Sequence, residues 1–152
     1  MHELMRIADL LDRAGHGDAW HGPPVDANVA GITAEQAKAR PIAAGHSIWE
    51  IVLHIAVWDR VVTRRLAGQS FEPSAAQDWP TVTDTSERAW RSAVGDLRQA
   101  RNELRAALVA FDPARLDDTV PGKSYSFYVM AHGIVQHDLY HAGQIALLRK
   151  AL

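Results

Sequence analysis

The feature that most constrains this chain is a histidine pair, His137 and His141, inside an apolar segment running from about Ser126 to Leu152. Residues four apart in an α-helix lie on the same face, one turn from each other. Two imidazoles placed in this way can bind one metal ion from a single helix. The pattern predicts a long C-terminal helix, and a metal site on it needs at least one further ligand from another element.

Helical periodicity recurs along the rest of the chain, and capping residues mark where helices begin. Ser47-Ile-Trp-Glu50 is a capping-box sequence that predicts a helix over 48–67 ending at Gly68, and Ser86 or its neighbour Thr85 starts another that ends near Phe111. Further helices are expected over 3–14, over 24–30 and after the cap Thr33, and a loop is expected over 69–83. No segment has the alternation of a half-buried strand. Four long helices predict an all-α four-helix bundle.

Composition excludes several classes of protein. A length of 152 residues favours one domain over 1–152, and a net charge of −2 leaves no basic surface for nucleic acid. No apolar run is long enough to span a membrane, and the N-terminus does not resemble a signal peptide, so a cytoplasmic location is expected. The chain has no cysteine, so any metal must be bound by His, Asp or Glu.

The best candidate for the third ligand is His54. It lies near the middle of the second long helix, on its apolar face, with Trp58 one turn later. Three neutral imidazoles, from His54, His137 and His141, would bind a divalent ion and leave open positions for water or substrate. Such an ion keeps its full charge and lowers the pKa of a coordinated water or thiol. The competing interpretation is three hydrogen-bonded core histidines.

Other polar residues near these helices receive weaker assignments. Gln144 is predicted to approach the site, and Asp138, rotated by 100° from His137, is predicted to be a surface charge. Arg101 either extends to solvent, which we favour, or pairs with an anionic substrate group. Trp58 and Tyr140 either line a pocket or belong to the core. The remaining histidines are expected at a pocket rim (His46), away from the site (His132) or in solvent (His2, His16 and His21).

Two segments, residues 47–58 around His54 and residues 132–145 around His137 and His141, resemble the DinB-like (YfiT-like) superfamily of metal-binding four-helix bundles. The superfamily includes bacillithiol S-transferase-like and mycothiol-dependent maleylpyruvate isomerase-like proteins. The resemblance implies an up-down-down-up bundle and a site for zinc, nickel, iron or manganese made by the three histidines. It also implies a homodimer.

The leading functional hypothesis is an enzyme that uses the metal to activate a low-molecular-weight thiol and transfers it to a small-molecule substrate. The absence of cysteine fits a thiol that comes from outside the chain. A metal-dependent hydrolase using an activated water is the alternative within enzymes, although no pocket carboxylate is evident as its general base. A non-catalytic metal-binding or ligand-binding dimer, and a purely structural bundle, are the alternatives outside enzymes.

Overall fold

Helices form nearly all of the regular structure in the computed structural model, which describes residues 2–152. In chain order they are α1 (Glu3–Gly15), α2 (Val25–Val29), α3 (Ala34–Lys38), α4 (Ile48–Leu66), α5 (Ala75–Asp78), α6 (Glu87–Ala110) and α7 (Phe127–Lys150), with a short 3-10 helix at Pro113–Arg115 between the last two. No strand occurs in the described part of the chain beyond one isolated bridge, Thr119 with Ser126.

The four long helices, α1, α4, α6 and α7, form an up-down-down-up bundle. One apolar cluster joins the start of α1 and of α7 to the ends of α4 and α6, as shown by Leu4, Phe127, Leu66 and Leu108. A second cluster joins the starts of α4 and α6 to the end of α7, together with α2 and α3. Thus α1 and α7 run one way while α4 and α6 run the other. The predicted all-α four-helix bundle is confirmed.

Side-chain caps start three of the four long helices, α4, α6 and α7. The Ser47 hydroxyl accepts a hydrogen bond from the Glu50 amide at 3.2 Å, and the Glu50 carboxylate accepts one from the Ser47 amide at 2.8 Å. Ser86 and Ser126 cap α6 and α7. Each such cap contributes about 1 kcal/mol. At the other end of α4, Gly68 adopts a φ of +86°, which favours glycine and terminates the helix where the sequence predicts.

The segment predicted as a loop over 69–83 contains the short helix α5, so that prediction is wrong in part. Ser74 and Gln77 form a capping box that starts it. Four residues are too few to show helical periodicity, which is why the sequence reading missed it. Helix α5 packs on α4. It thereby places Asp78 and Trp79 against the middle of the bundle.

Between the two apolar clusters lies a buried ionic group made by Arg101 of α6, Asp59 of α4 and Asp138 of α7. The Arg101 Nη2 atom donates to the Asp138 carboxylate at 2.6 Å, and its Nε atom lies 3.5 Å from that of Asp59. Asp59 and Asp138 are 0% exposed. Burial, and then the charge of Asp138, raise the pKa of Asp59 well above its usual range. Two expectations are corrected: Asp138 is not a surface charge, and the Arg101 side chain does not extend to solvent but pairs with Asp138.

The same arginine lies against the last turn of α1, at Gly15. A Cβ atom on Gly15 would lie 2.6 Å from Nη1 and 2.7 Å from Cδ of Arg101. These distances are shorter than any side chain tolerates, so glycine at this position allows α1 to approach α6. The sequence shows Gly15 only as a helix breaker, whereas the structure includes it in the last turn of α1.

We expect Arg101→Met to destabilise the protein by about 3–5 kcal/mol, because it leaves two buried carboxyl groups facing each other with no cation. Arg98→Met on the same helix is the matched control, since the Arg98 side chain is 56% exposed in its pair with Asp26. That variant should lose less than about 1 kcal/mol. Urea unfolding of both variants measures the difference. Equal losses for the two would show that the buried cluster contributes no more than a surface pair.

Candidate metal centre

The structure brings together the three histidines singled out in the sequence. His54 projects from α4, and His137 and His141 project from α7. The Nε2 atom of His137 lies 3.0 Å from that of His54 and 3.1 Å from that of His141. Two nitrogens bound to one ion at about 2.1 Å are roughly 3.0–3.4 Å apart when the angle between them is about 90–110°. The spacing therefore fits a set of three ligands for a single ion.

Hydrogen bonds at the Nδ1 atoms of His54 and His141 determine where the lone pairs of these two rings point. His54 Nδ1 lies 2.9 Å from the Asp78 backbone carbonyl oxygen and 3.0 Å from the Asp78 Oδ1 atom. His141 Nδ1 lies 2.7 Å from the Gln144 Oε1 atom. Because these partners are acceptors, each Nδ1 carries the proton, and each Nε2 of the neutral ring presents a lone pair to the centre.

Two inward lone pairs must be satisfied at this centre. A proton on His137 Nε2 would satisfy only one of them, whereas a divalent cation accepts electron density from all three rings. His137 Nδ1 is buried and has no hydrogen-bond partner among the described residues. The nearest carboxylate oxygen to it, on Asp138, is 3.9 Å away. The donor set fits a metal better than it fits three mutually hydrogen-bonded core histidines.

Burial keeps the rings of His54 and His141 neutral. It lowers the pKa of His54, and together with the neighbouring His137 it lowers the pKa of His141 to about 4. Removing an imidazolium from water is unfavourable, and a second ring nearby adds repulsion. Metal ligation requires the neutral ring. Near pH 7, therefore, His54 and His141 need lose no proton before they bind an ion.

Helix α5 supplies groups around the site that the sequence reading missed. The Asp78 carboxylate accepts a hydrogen bond from Trp58 Nε1 at 2.7 Å besides its contact with His54. The Trp79 ring stacks on His54 at 3.9 Å between centroids, and on its other side it stacks on His46 at 3.5 Å. The only sequence signal for this arrangement is the Ser74–Gln77 capping box. It indicates a helix start but not the neighbour on which the helix packs.

The other predicted site residues have mixed outcomes. Gln144 does reach the site, and His46 lies at its margin on Trp79. His132 faces away and pairs with Glu3 at 3.0 Å. Tyr140, expected in a pocket or the core, is 66% exposed, with one edge against His141. His2, His16 and His21 are exposed as expected.

A cavity of about 270 Å³ opens beside the site between α4 and α7. Of the three site histidines, only His137 lines it, and Trp58 forms part of the facing wall. The His137 side chain is 23% exposed, whereas His54 and His141 are buried. The cavity therefore gives access to the three histidines on the side of His137.

The lowered pKa of His141 predicts how acid affects the metal-free protein. In the unfolded state the pKa of His141 is near the ordinary value of 6.5, whereas in the folded protein this pKa is lowered to about 4. The unfolded state thus binds more protons in this window, so the contribution of neutral His141 is complete above about pH 6.5 and is lost as the pH falls. Relative to that of His141→Gln, the free energy of unfolding of the wild type should fall by about 2 kcal/mol between about pH 6.5 and 4.5.

Urea unfolding at both pH values measures this difference, and the comparison with the variant cancels other titrating groups. His132→Gln is the control, because His132 sits at the surface with Glu3. Its free energy of unfolding should change with pH as that of the wild type does. A pH dependence of His141→Gln equal to that of the wild type would contradict the prediction.

Comparison with known proteins assigns the chain to a family. The sequence pattern of the DinB superfamily matches residues 25–145, which include all three site histidines. No curated protein matches the chain. No solved structure matches it either. None of the helices over residues 2–152 is long and apolar enough to cross a membrane. Because the family match spans most of the chain and the bundle agrees with it, the protein belongs to the DinB superfamily.

Proposed function

We propose that this protein is a metal-dependent enzyme that activates a low-molecular-weight thiol and transfers it to a small-molecule electrophile. The ion is bound by His54, His137 and His141. The observation that carries the proposal is the convergence of three Nε2 atoms, two with lone pairs directed inward, next to an open cavity. When bound there, a divalent ion supplies positive charge and open positions at which the pKa of a thiol is lowered.

The residues around the histidines have supporting roles. Asp78 and Gln144 keep the protons of His54 and His141 on the outer nitrogens, which holds the rings ready to bind a cation. Trp79 covers one face of His54 and limits access of water from that side. A set of three nitrogens suits zinc, nickel, iron and manganese, so the ion that is used depends on supply and on coordination geometry.

The chemistry needs no nucleophile from the chain. The thiol sulfur forms a bond to the electrophilic carbon, the leaving group departs with its electron pair, and the thiol proton goes to solvent. The chain has no cysteine to compete with an external thiol. Positioning the two substrates together supplies much of the rate enhancement.

Hydrolysis is less well supported because the nearby carboxylates are already engaged. A hydrolase needs a general base within reach of the attacking water. The Asp78 carboxylate contacts Trp58 and His54, and the Asp138 carboxylate is held by buried Arg101. Neither is free to accept a proton from a water molecule in the cavity. These contacts favour thiol transfer over hydrolysis.

The proposal includes a homodimer, supported by the outer face of α7. Tyr140 and Leu147, two turns apart on one face of this helix, are exposed at 66% and 61%. Exposed apolar side chains aligned on one helix are typical of an interface. Light scattering after size exclusion tests this assembly directly, and a monomeric mass at micromolar concentration would contradict it.

Metal binding is the first test. Protein purified without a histidine tag should contain close to one divalent ion per chain, measured by inductively coupled plasma mass spectrometry. His137→Ala and His54→Ala should each lose most of it, because two imidazoles bind a divalent ion far more weakly than three. His132→Ala is the matched control and should retain the metal, since His132 faces Glu3. Metal-free wild-type protein that takes up no ion would exclude the proposed site.

Thiol dependence separates the candidate reactions. We expect the metal-loaded protein to consume 1-chloro-2,4-dinitrobenzene only when a thiol is added, with bacillithiol, mycothiol, coenzyme A, glutathione and cysteine compared. His137→Ala should lose this activity with its metal. Hydrolysis of a nitrophenyl ester without any thiol, abolished by the same substitution, would instead indicate a hydrolase. Loaded protein inactive in both assays would favour a binding module.

A further inference from the structure

We propose that the cavity beside His137 binds an uncharged, apolar co-substrate, and that Tyr125 donates a hydrogen bond to an acceptor atom of that molecule. Assigning the bound molecule as the electrophile depends on the proposed function. The binding site itself follows from the walls of the cavity. These walls come from α4, from α7 and from the segment just before α7.

Apolar side chains dominate the surface that a bound molecule would touch. They include Trp58 and Val62 on α4, and Met130 and Ile134 on α7. Such walls favour ligands that exchange water for carbon contacts. The cavity volume is about 270 Å³. A closed apolar cavity of about 150 Å³ holds benzene, so this one has room for a molecule of roughly two fused rings.

The single charged residue in the lining, Arg65, is already paired. Its Nε and Nη2 atoms donate to the Phe71 carbonyl oxygen at 3.1 and 3.0 Å, and Nη2 also donates to the Glu72 carboxylate at 2.8 Å. The Arg65 side chain is 2% exposed. At this end of the cavity, away from the three histidines, an anionic group would have to displace Glu72 or enter an apolar space without a partner cation. The walls around Arg65 and Tyr125 therefore disfavour anions.

Tyr125 supplies the polar contact. Its hydroxyl oxygen accepts a hydrogen bond from Arg65 Nη1 at 2.9 Å. The hydroxyl proton has no acceptor among residues 2–152, and Tyr125 lines the cavity. A hydroxyl that accepts from a guanidinium becomes a stronger donor, because chains of hydrogen bonds polarise each other. A neutral acceptor such as a carbonyl or ether oxygen is the group that this proton fits.

His137 defines the reacting end of the cavity. It is the one site histidine that the cavity touches, and its ring lies 5.9 Å from that of Trp58 between centroids. A molecule held along this wall would place one end near the three histidines and its acceptor atom at Tyr125. The electrophilic carbon of the co-substrate is therefore expected at the end away from the acceptor that Tyr125 binds.

Two glycines of α7 provide a matched test of the location. A Cβ atom added at Gly133 or at Gly143 meets nothing within 4 Å, so a side chain can begin at either position without a clash. Gly133 lines the cavity, one turn before His137, whereas Gly143 is not part of that lining. Gly133→Phe therefore blocks the cavity, and Gly143→Phe controls for the helix substitution. Both replacements improve helix propensity.

The probes are 2-acetylnaphthalene, 2-ethylnaphthalene and 2-naphthoate, which share two rings and differ in the acceptor or the charge. Ligand-detected NMR titrations use the protein with its metal, and the comparison with 2-naphthoate is repeated on metal-free protein, where its carboxylate has no ion to coordinate. In the metal-free protein we expect 2-acetylnaphthalene to bind about tenfold more tightly than 2-naphthoate. Gly133→Phe should weaken its binding about tenfold or more, and Gly143→Phe less than about twofold. Tyr125→Phe should weaken binding of 2-acetylnaphthalene about fivefold and leave 2-ethylnaphthalene unchanged.

Several results would overturn the inference. Binding of 2-naphthoate to the metal-free protein as tight as that of 2-acetylnaphthalene would exclude a site for neutral ligands. Equal effects of the two glycine substitutions would place the ligand elsewhere, and equal effects of Tyr125→Phe on both neutral probes would remove its donor role. Metal content is measured on every variant. The expected binding pattern in a protein that takes up no metal would support the ligand site but exclude its role in thiol transfer.

Discussion

The candidate site depends on hydrogen bonds made at the backs of its imidazole rings. The Asp78 backbone carbonyl holds the proton of His54 on Nδ1, and the Gln144 side chain does the same for His141. With those protons fixed outside, the Nε2 lone pairs of His54 and His141 both face the Nε2 atom of His137 at about 3 Å, an arrangement that a cation relieves. Burial lowers the pKa of both rings, so protons compete weakly for the site.

Burial of two apolar clusters offsets the free-energy cost of this polar centre. They occupy opposite ends of the bundle, and the charged and titratable groups lie between them at mid-height. The same level contains Arg101 between Asp59 and Asp138. Asp138 directly follows His137 on α7. Hydrophobic packing at the ends holds the helices in place, so the middle need not be optimised for stability. The cavity runs from His137 toward the apolar cluster that contains Val62 and Met130.

Sequence reasoning predicted the bundle well because its signals are local. Caps such as Ser47 and Ser126, and apolar residues at helical spacing, act within one element and are visible in the chain. It failed where the answer depends on a neighbour. Asp138 points away from His137 on the helix wheel, which suggested solvent, but α6 packs on that side with Arg101. Helix α5 was missed because four residues are too few to show helical periodicity, and its position follows from packing on α4.

Read alone, the residues specify the helices, the inward stripe with His137 and His141, and His54 on a second apolar face. These follow from the 3.6-residue period, which places side chains relative to their own helix axis. Only the folded chain decides which tautomers the rings adopt, which carboxylates are engaged, and where the cavity lies beside His137. Those properties arise from contacts between helices, and no period along one helix encodes them.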